Sequence, residues 1–165
     1  MKPFRSLLSF VGSLLILGTS HTLVAAPDPG QISISVGKLM EQGHYSRRKL
    51  DAEVSRQLLI NYLEALDYRR MFFTQKDVDE LMAKYGNSLQ DDILLGNTKP
   101  AVEIFELYKK KVEARIAKIK TWLETKTFDF TSDRTIQLNR QKAPWPKDDA
   151  EADQLWHDWI EYELL

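Results

Sequence analysis

The sequence contains no cysteine, and that single absence removes several classes at once. A disulfide scaffold, a thiol nucleophile and a cysteine-ligated zinc site are all excluded. A lipoprotein anchor is excluded as well, because it is attached to a cysteine at the mature N-terminus. No charge of one sign dominates either. Lys+Arg number 23 and Asp+Glu 24, a net charge of −1, so nothing global favours nucleic acid as a partner. The 7 glycines are scattered, and they form no phosphate-cradling loop; no nucleophile elbow surrounds any serine. Strand-period alternation and NG or DG hairpin turns are missing too, which argues against a sheet. No internal repeat suggests a solenoid.

What is present is a chain of 165 residues, 43% of them hydrophobic, the length and apolar fraction of one domain with one core. It opens like an export signal. Lys2 and Arg5 precede an apolar run from Leu7 to Leu17, and small residues close the segment at Ala25 and Ala26. The run is shorter than the about 20 apolar residues of a membrane span, so a cleaved leader over residues 1–26 is expected, not a stable membrane anchor. Cleavage after Ala26 would leave Pro27 first, a poor site, so Ala25 and Ala26 both stay open. Loss of Lys2 and Arg5 leaves 21 basic residues against 24 acidic ones, and the expected destination is the periplasm.

After Pro29 the patterning is helical. A first helix is expected over Ile34–Gln42, stopped by Gly43. Asp51 suits the N-cap of a second, whose Val54, Leu58, Leu59, Tyr62, Leu63 and Leu66 cover more than one stripe and require two packing neighbours. Asp67–Phe73 reads as a connector. Thr74 and Asp77 open a third helix as a reciprocal cap, with Val78, Leu81, Met82 and Tyr85 inward and Gly86 ending it. A short helix is expected over Leu89–Leu95, ending at Gly96. Pro100 suits the first turn of a long helix reaching about Glu124. There Val102, Phe105, Tyr108, Val112, Ile116, Ile119 and Leu123 recur at steps of three and four, the period of one helix face, and Glu106 and Lys110 stand at a favourable i,i+4 spacing. A final helix covers Glu151–Leu165. The expected fold is all-α, an irregular domain of about five to six helices over residues 27–165.

The chemistry is sparse. His44 and His157 have no sequence neighbour at metal-ligand spacing and read as capping or packing residues. Asp91-Asp92 and Asp148-Asp149 are adjacent carboxylates, which do not face each other on a helix and suit helix starts better than acid–base work. Lys109-Lys110-Lys111 reads as the wet face of the long helix. Trp145, Trp156 and Trp159 read as core anchors in preference to a ligand cage. No catalytic, cofactor-binding or metal-binding residue is assigned, and no cofactor is expected.

Three stretches nevertheless carry a likeness: Leu39 to Leu50, with His44-Tyr45 and Lys49-Leu50-Asp51; Ser55 to Phe73, with Tyr62-Leu63, Leu66-Asp67-Tyr68 and Phe72-Phe73 leading into Thr74 and Asp77-Val78; and Phe128-Asp129-Phe130-Thr131 with Leu138-Asn139-Arg140, Lys142-Ala143-Pro144-Trp145-Pro146 and Leu155-Trp156. In order and spacing these resemble the N-terminal region of the tail-specific, or carboxy-terminal processing, proteases, exported serine peptidases. The resemblance implies a helical region followed in full-length members by a PDZ domain, which captures substrate carboxyl termini, and by a protease domain with a serine nucleophile and a lysine base. No serine or lysine of this chain matches that pair. The implied partners are therefore the PDZ and protease domains of a parent enzyme, with protein substrates or an adaptor protein as further ones. His157-Asp158-Trp159 departs from the more basic pattern expected there, and the finish on Glu163-Leu164-Leu165, mid-pattern for a helix, leads to the expectation of a chain cut short. The alternative is a stand-alone exported helical interaction protein that has lost the protease. In either case Trp156, Trp159 and Ile160 are expected to form an exposed apolar patch, a hazard for self-association.

Overall fold

The computed structural model describes residues 26–43, 50–131 and 133–165. The expected leader through Ala25, and the His44-Tyr45 and Lys49 positions, lie outside them. Six helices follow in order: α1 (Pro29–Gly43), α2 (Ala52–Leu66), α3 (Gln75–Tyr85), α4 (Leu89–Leu95), α5 (Lys99–Thr125) and α6 (Asp149–Leu164). Among the described residues there is no strand, and no helix is long and apolar enough to cross a membrane. The all-α expectation holds. The first helix starts five residues earlier than Ile34, at Pro29, where Asp28 accepts the N–H of Gly30 at 3.0 Å and supplies the start signal.

Helix ends follow local chemistry closely. Asp51 accepts the Val54 N–H at 2.9 Å. Thr74 and Asp77 form the full reciprocal box: the Thr74 hydroxyl oxygen accepts the Asp77 N–H at 3.3 Å, and the Asp77 carboxylate accepts the Thr74 N–H at 2.7 Å. Such a cap is worth about 1 kcal/mol. Gly96 ends α4 in the left-handed region, φ +70°, where a side chain is strained. That turn also lies against α1: a Cβ on Gly30 would fall 2.8 Å from the Gly96 carbonyl oxygen. Two glycines thus let α1 and α4 meet backbone to backbone.

The core is built on α2 and α3. Leu59, Leu63, Phe73, Val78, Leu81 and Tyr85 are buried together, and Ile104 from α5 and Trp145 from the segment before α6 complete the cluster. Each large side chain removed from water there contributes about 1.5–3 kcal/mol. Met82 is half-buried against the same cluster. The α2–α3 connector is organised by one buried carboxylate. Asp67 is 2% exposed and accepts the backbone N–H groups of Met71, Phe72 and Phe73 at 2.8, 3.0 and 3.0 Å. Arg70, at φ 51°, donates to the Ala143 carbonyl at 2.7 Å, pairs with Glu64, and lies 4.2 Å over the Trp145 ring. Pro146 is buried beside Trp145, and its carbonyl accepts the Gln75 N–H at 2.7 Å. Trp145, held between Pro144 and Pro146, therefore fixes the chain to the α2–α3 junction.

Long helix α5 packs on a face other than its most regular apolar one. Pro100, Ile104 and Trp122 are buried, and Lys111 and Arg115 are half-buried between them. Val102, Phe105, Ile116 and Leu123 are about half exposed, at 56, 47, 48 and 51%.

Candidate functional site

The residues singled out by type now have places. Asp148 caps α6 by accepting the Glu151 N–H at 3.0 Å, and Asp91 and Asp92 sit in the first turn of α4. Paired carboxylates here serve helix starts. Three of the four described serines have hydroxyls committed to structure: Ser33 donates to the Ile93 carbonyl at 3.1 Å and Ser35 to the Gln31 carbonyl at 2.8 Å, while buried Ser55 bonds the Gln90 side chain and accepts the Gln90 N–H. Trp145 is a core residue. Trp156 is half-buried and donates its indole N–H to the Met71 carbonyl at 2.7 Å, with Phe72 5.1 Å away. Ile160 is buried and Trp159 half-buried, with the Arg69 guanidinium 4.6 Å over its ring. The expected exposed patch at Trp156, Trp159 and Ile160 is therefore corrected: α6 turns that face onto the α2–α3 connector.

Of the grooves beside α6, two involve the residues singled out above. One, of about 380 Å³, is lined by Phe72, Lys110, Lys111, Arg115, Lys118 and Asp153 among others. Three of its four cations are paired. Lys111 pairs with Asp77, Arg115 with Asp153 at 2.7 Å, and Lys118 with Asp153. Burial opposes the charge on Asp77 and on Asp153, but the hydrogen bonds from Lys111 and Thr74 in the first case, and from Lys118 and Arg115 in the second, outweigh it and hold both pKa values below the usual range. Lys111 thus departs from the fully wet face expected for the lysine run, while Lys109 and Lys110 are exposed. Most of this groove's positive charge is thus neutralised by carboxylates within the domain.

The second groove, about 300 Å³, lies between the 128–138 segment and the end of α6, with Phe130, Ile136, Leu138 and Tyr162 on its walls and Asp158 and Glu161 beneath. Here the structure brings together what sequence spacing did not reveal. Ligand atoms of His157, Asp158 and Glu161 lie within 4.8 Å of one another, so these three could in principle hold a metal ion. The cation present is Arg134, which bridges the Asp158 and Glu161 carboxylates at 2.7 and 2.5 Å. His157 stacks on Phe128 at 5.2 Å, edge-on to Trp122 at 6.1 Å. The arrangement ties the segment before α6 onto α5 and α6; nothing in it pairs a nucleophile with a base.

Residues 36–165 match the model of the tail specific protease N-terminal domain. The chain belongs to that family. The N-terminal domain is also 29% identical over 126 residues to the tail-specific protease of Haemophilus influenzae, an alignment covering 76% of this chain and 18% of that protein. It thus spans less than a fifth of the relative's length. Two features of the domain escaped sequence reading: the Arg134 bridge, whose partners lie 24 and 27 residues away, and the exposure of the α5 stripe. The stripe itself was visible as a 3–4 period; which way it faced was not.

Proposed function

We propose that this chain is the helical N-terminal segment of an exported carboxy-terminal processing serine protease, serving proteolysis without supplying the reacting groups. Its role is structural: it walls the substrate chamber, positions a PDZ domain and offers a surface to an adaptor protein. The serine and lysine of the reaction belong to domains outside residues 1–165. The leader ends at Ala25 or Ala26 and delivers the domain to the periplasm. The observation that carries this reading is the continuous match of residues 36–165 to the N-terminal domain of such proteases. The structural use of the Ser33, Ser35 and Ser55 hydroxyls supports it.

Incubating the purified chain with peptides that end in apolar residues is the direct test. No turnover is expected, whereas cleavage abolished by a serine-directed inhibitor would overturn the assignment. N-terminal sequencing of the periplasmic product is expected to start at Ala26 or Pro27. Reading the gene past the Leu165 codon separates the two functional readings. A PDZ-plus-protease continuation, in frame or frame-shifted, supports the protease segment; unrelated sequence favours the stand-alone interaction protein.

A further inference from the structure

The last turns of α6 gather three donor groups around a single cation. His157 and Glu161 stand at i,i+4 and Asp158 and Glu161 at i,i+3, so the three side chains meet along one edge of the helix. Nδ1 of His157 lies 3.9 Å from a carboxylate oxygen of Asp158 and of Glu161, too far for a hydrogen bond. Arg134 bridges those two carboxylates but does not satisfy Nδ1. Two buried atoms are consequently without a hydrogen-bond partner, Nδ1 of His157 and Oε1 of Glu161. The Glu161 side chain keeps only 9% of its surface exposed, so bulk water does not relieve it. A buried carboxylate oxygen and a buried imidazole nitrogen left unpaired side by side mark a place that is short of positive charge.

We propose that His157, Asp158 and Glu161 form a binding site for a zinc-type divalent ion, which enters by displacing the Arg134 guanidinium. One imidazole nitrogen with two carboxylates is a donor set that suits zinc, whereas calcium and magnesium take oxygen ligands. Ligand atoms around four-coordinate zinc stand about 3.3 Å apart, so the two 3.9 Å separations need close only slightly. Three protein ligands leave a fourth position to water, and the groove of about 300 Å³ above Asp158 and Glu161 is the way in. The ligands are already oriented: Gln154 donates to Asp158 at 2.8 Å, and His157 stacks on Phe128 beside Trp122. Charge favours the exchange. Arg134 sets one positive charge against two carboxylates, and a divalent ion balances both. The Arg134 side chain is 44% exposed, so its guanidinium passes back to water at little cost. Because Arg134 belongs to the 128–138 segment, binding of the ion also unfastens that segment from α6.

Calorimetric titration of the purified chain with zinc chloride, in a buffer that does not chelate the ion, is the test. One ion per chain is expected, with a dissociation constant on the order of 10 μM, weaker than a structural zinc site because Arg134 must first leave. His157→Phe keeps a ring against Phe128 and removes the nitrogen ligand, and is expected to weaken binding about a hundredfold. Arg134→Gln removes the competing cation and tightens it about tenfold. Trypsin reads the exchange itself: zinc speeds cleavage after Arg134 in the native chain and not in His157→Phe. A native chain that binds zinc no tighter than about 1 mM overturns the proposal. So does binding that survives His157→Phe undiminished, which places the ion elsewhere. Binding that leaves the cut after Arg134 no faster overturns the displacement of the guanidinium.

Discussion

Helices α3 and α5 both carry apolar residues at three–four spacing, yet they use them in opposite ways. In α3 the stripe is the buried face: Val78, Leu81 and Tyr85 enter the core. In α5 the buried face is mixed, Ile104 and Trp122 alternating with Lys111 and Arg115, whose charges end on Asp77 and Asp153. Its cleaner apolar stripe faces outward except at Tyr108, which packs on Phe72 and Phe73. The difference lies in the neighbours. Helix α3 is held at the end of a short connector tied down by Asp67, so its only apolar face must meet α2. Helix α5 is long, and its orientation is set at several points: Tyr62 donates to the Ala101 carbonyl at 3.1 Å, Lys84 and Tyr85 hold Glu103, and α6 contributes Asp153. An amphipathic period says that a face exists; the contacts at the ends decide which face is inside.

The largest expected effect breaks this contrast directly. Phe73→Ala, at a fully buried side chain, is expected to cost about 3–5 kcal/mol, whereas Phe105→Ala on the outer stripe should change stability by no more than about 0.5 kcal/mol. Urea unfolding measures both. Equal losses would show that the stripe is buried after all. A smaller effect tests the connector that fixes α3. Asp67→Asn keeps the shape but replaces an acceptor oxygen with a donor facing backbone N–H groups, and is expected to cost about 2 kcal/mol. Loss of near-ultraviolet dichroism from the surrounding aromatic rings should accompany it.

Smallest is the contribution of the charged half of the α5 face. Asp77 and Asp153 bind protons less readily folded than unfolded. On acidification the unfolded chain is protonated first, so their stabilisation is complete above about pH 5 and drains away as pH falls through about 4 and below. The melting temperature should therefore fall more steeply below pH 5 in the native chain than in Asp77→Asn, which lacks one of the two groups. Parallel curves would remove the Lys111–Asp77 pair from the account of how α5 is held.

Much of the fold was legible in residues that act locally. Asp51, Thr74 with Asp77, Gly96 and Pro100 mark helix boundaries through their own side chains or backbone conformations, and the structure uses each that way. The order His157, Asp158, Glu161 was visible too, but its meaning was not. Only tertiary contact brings Arg134 across from a segment without periodic signals to bridge those carboxylates. Trp156, Trp159 and Ile160 were misplaced for the same reason, since their cover is the Met71 carbonyl, Phe72 and Arg69 from a distant connector.

By itself, then, the order of residues determined that this is a helical domain, where most of its helices begin and end, and which protease family it resembles. Capping, proline geometry and apolar period act over three or four residues and need no knowledge of the rest. The tertiary structure alone decided which side of α5 is wet, which carboxylates share a guanidinium and which tryptophans are covered. Those outcomes depend on burial and ion pairing between segments far apart in the chain, where the free energy belongs to the meeting of two surfaces and to neither sequence alone.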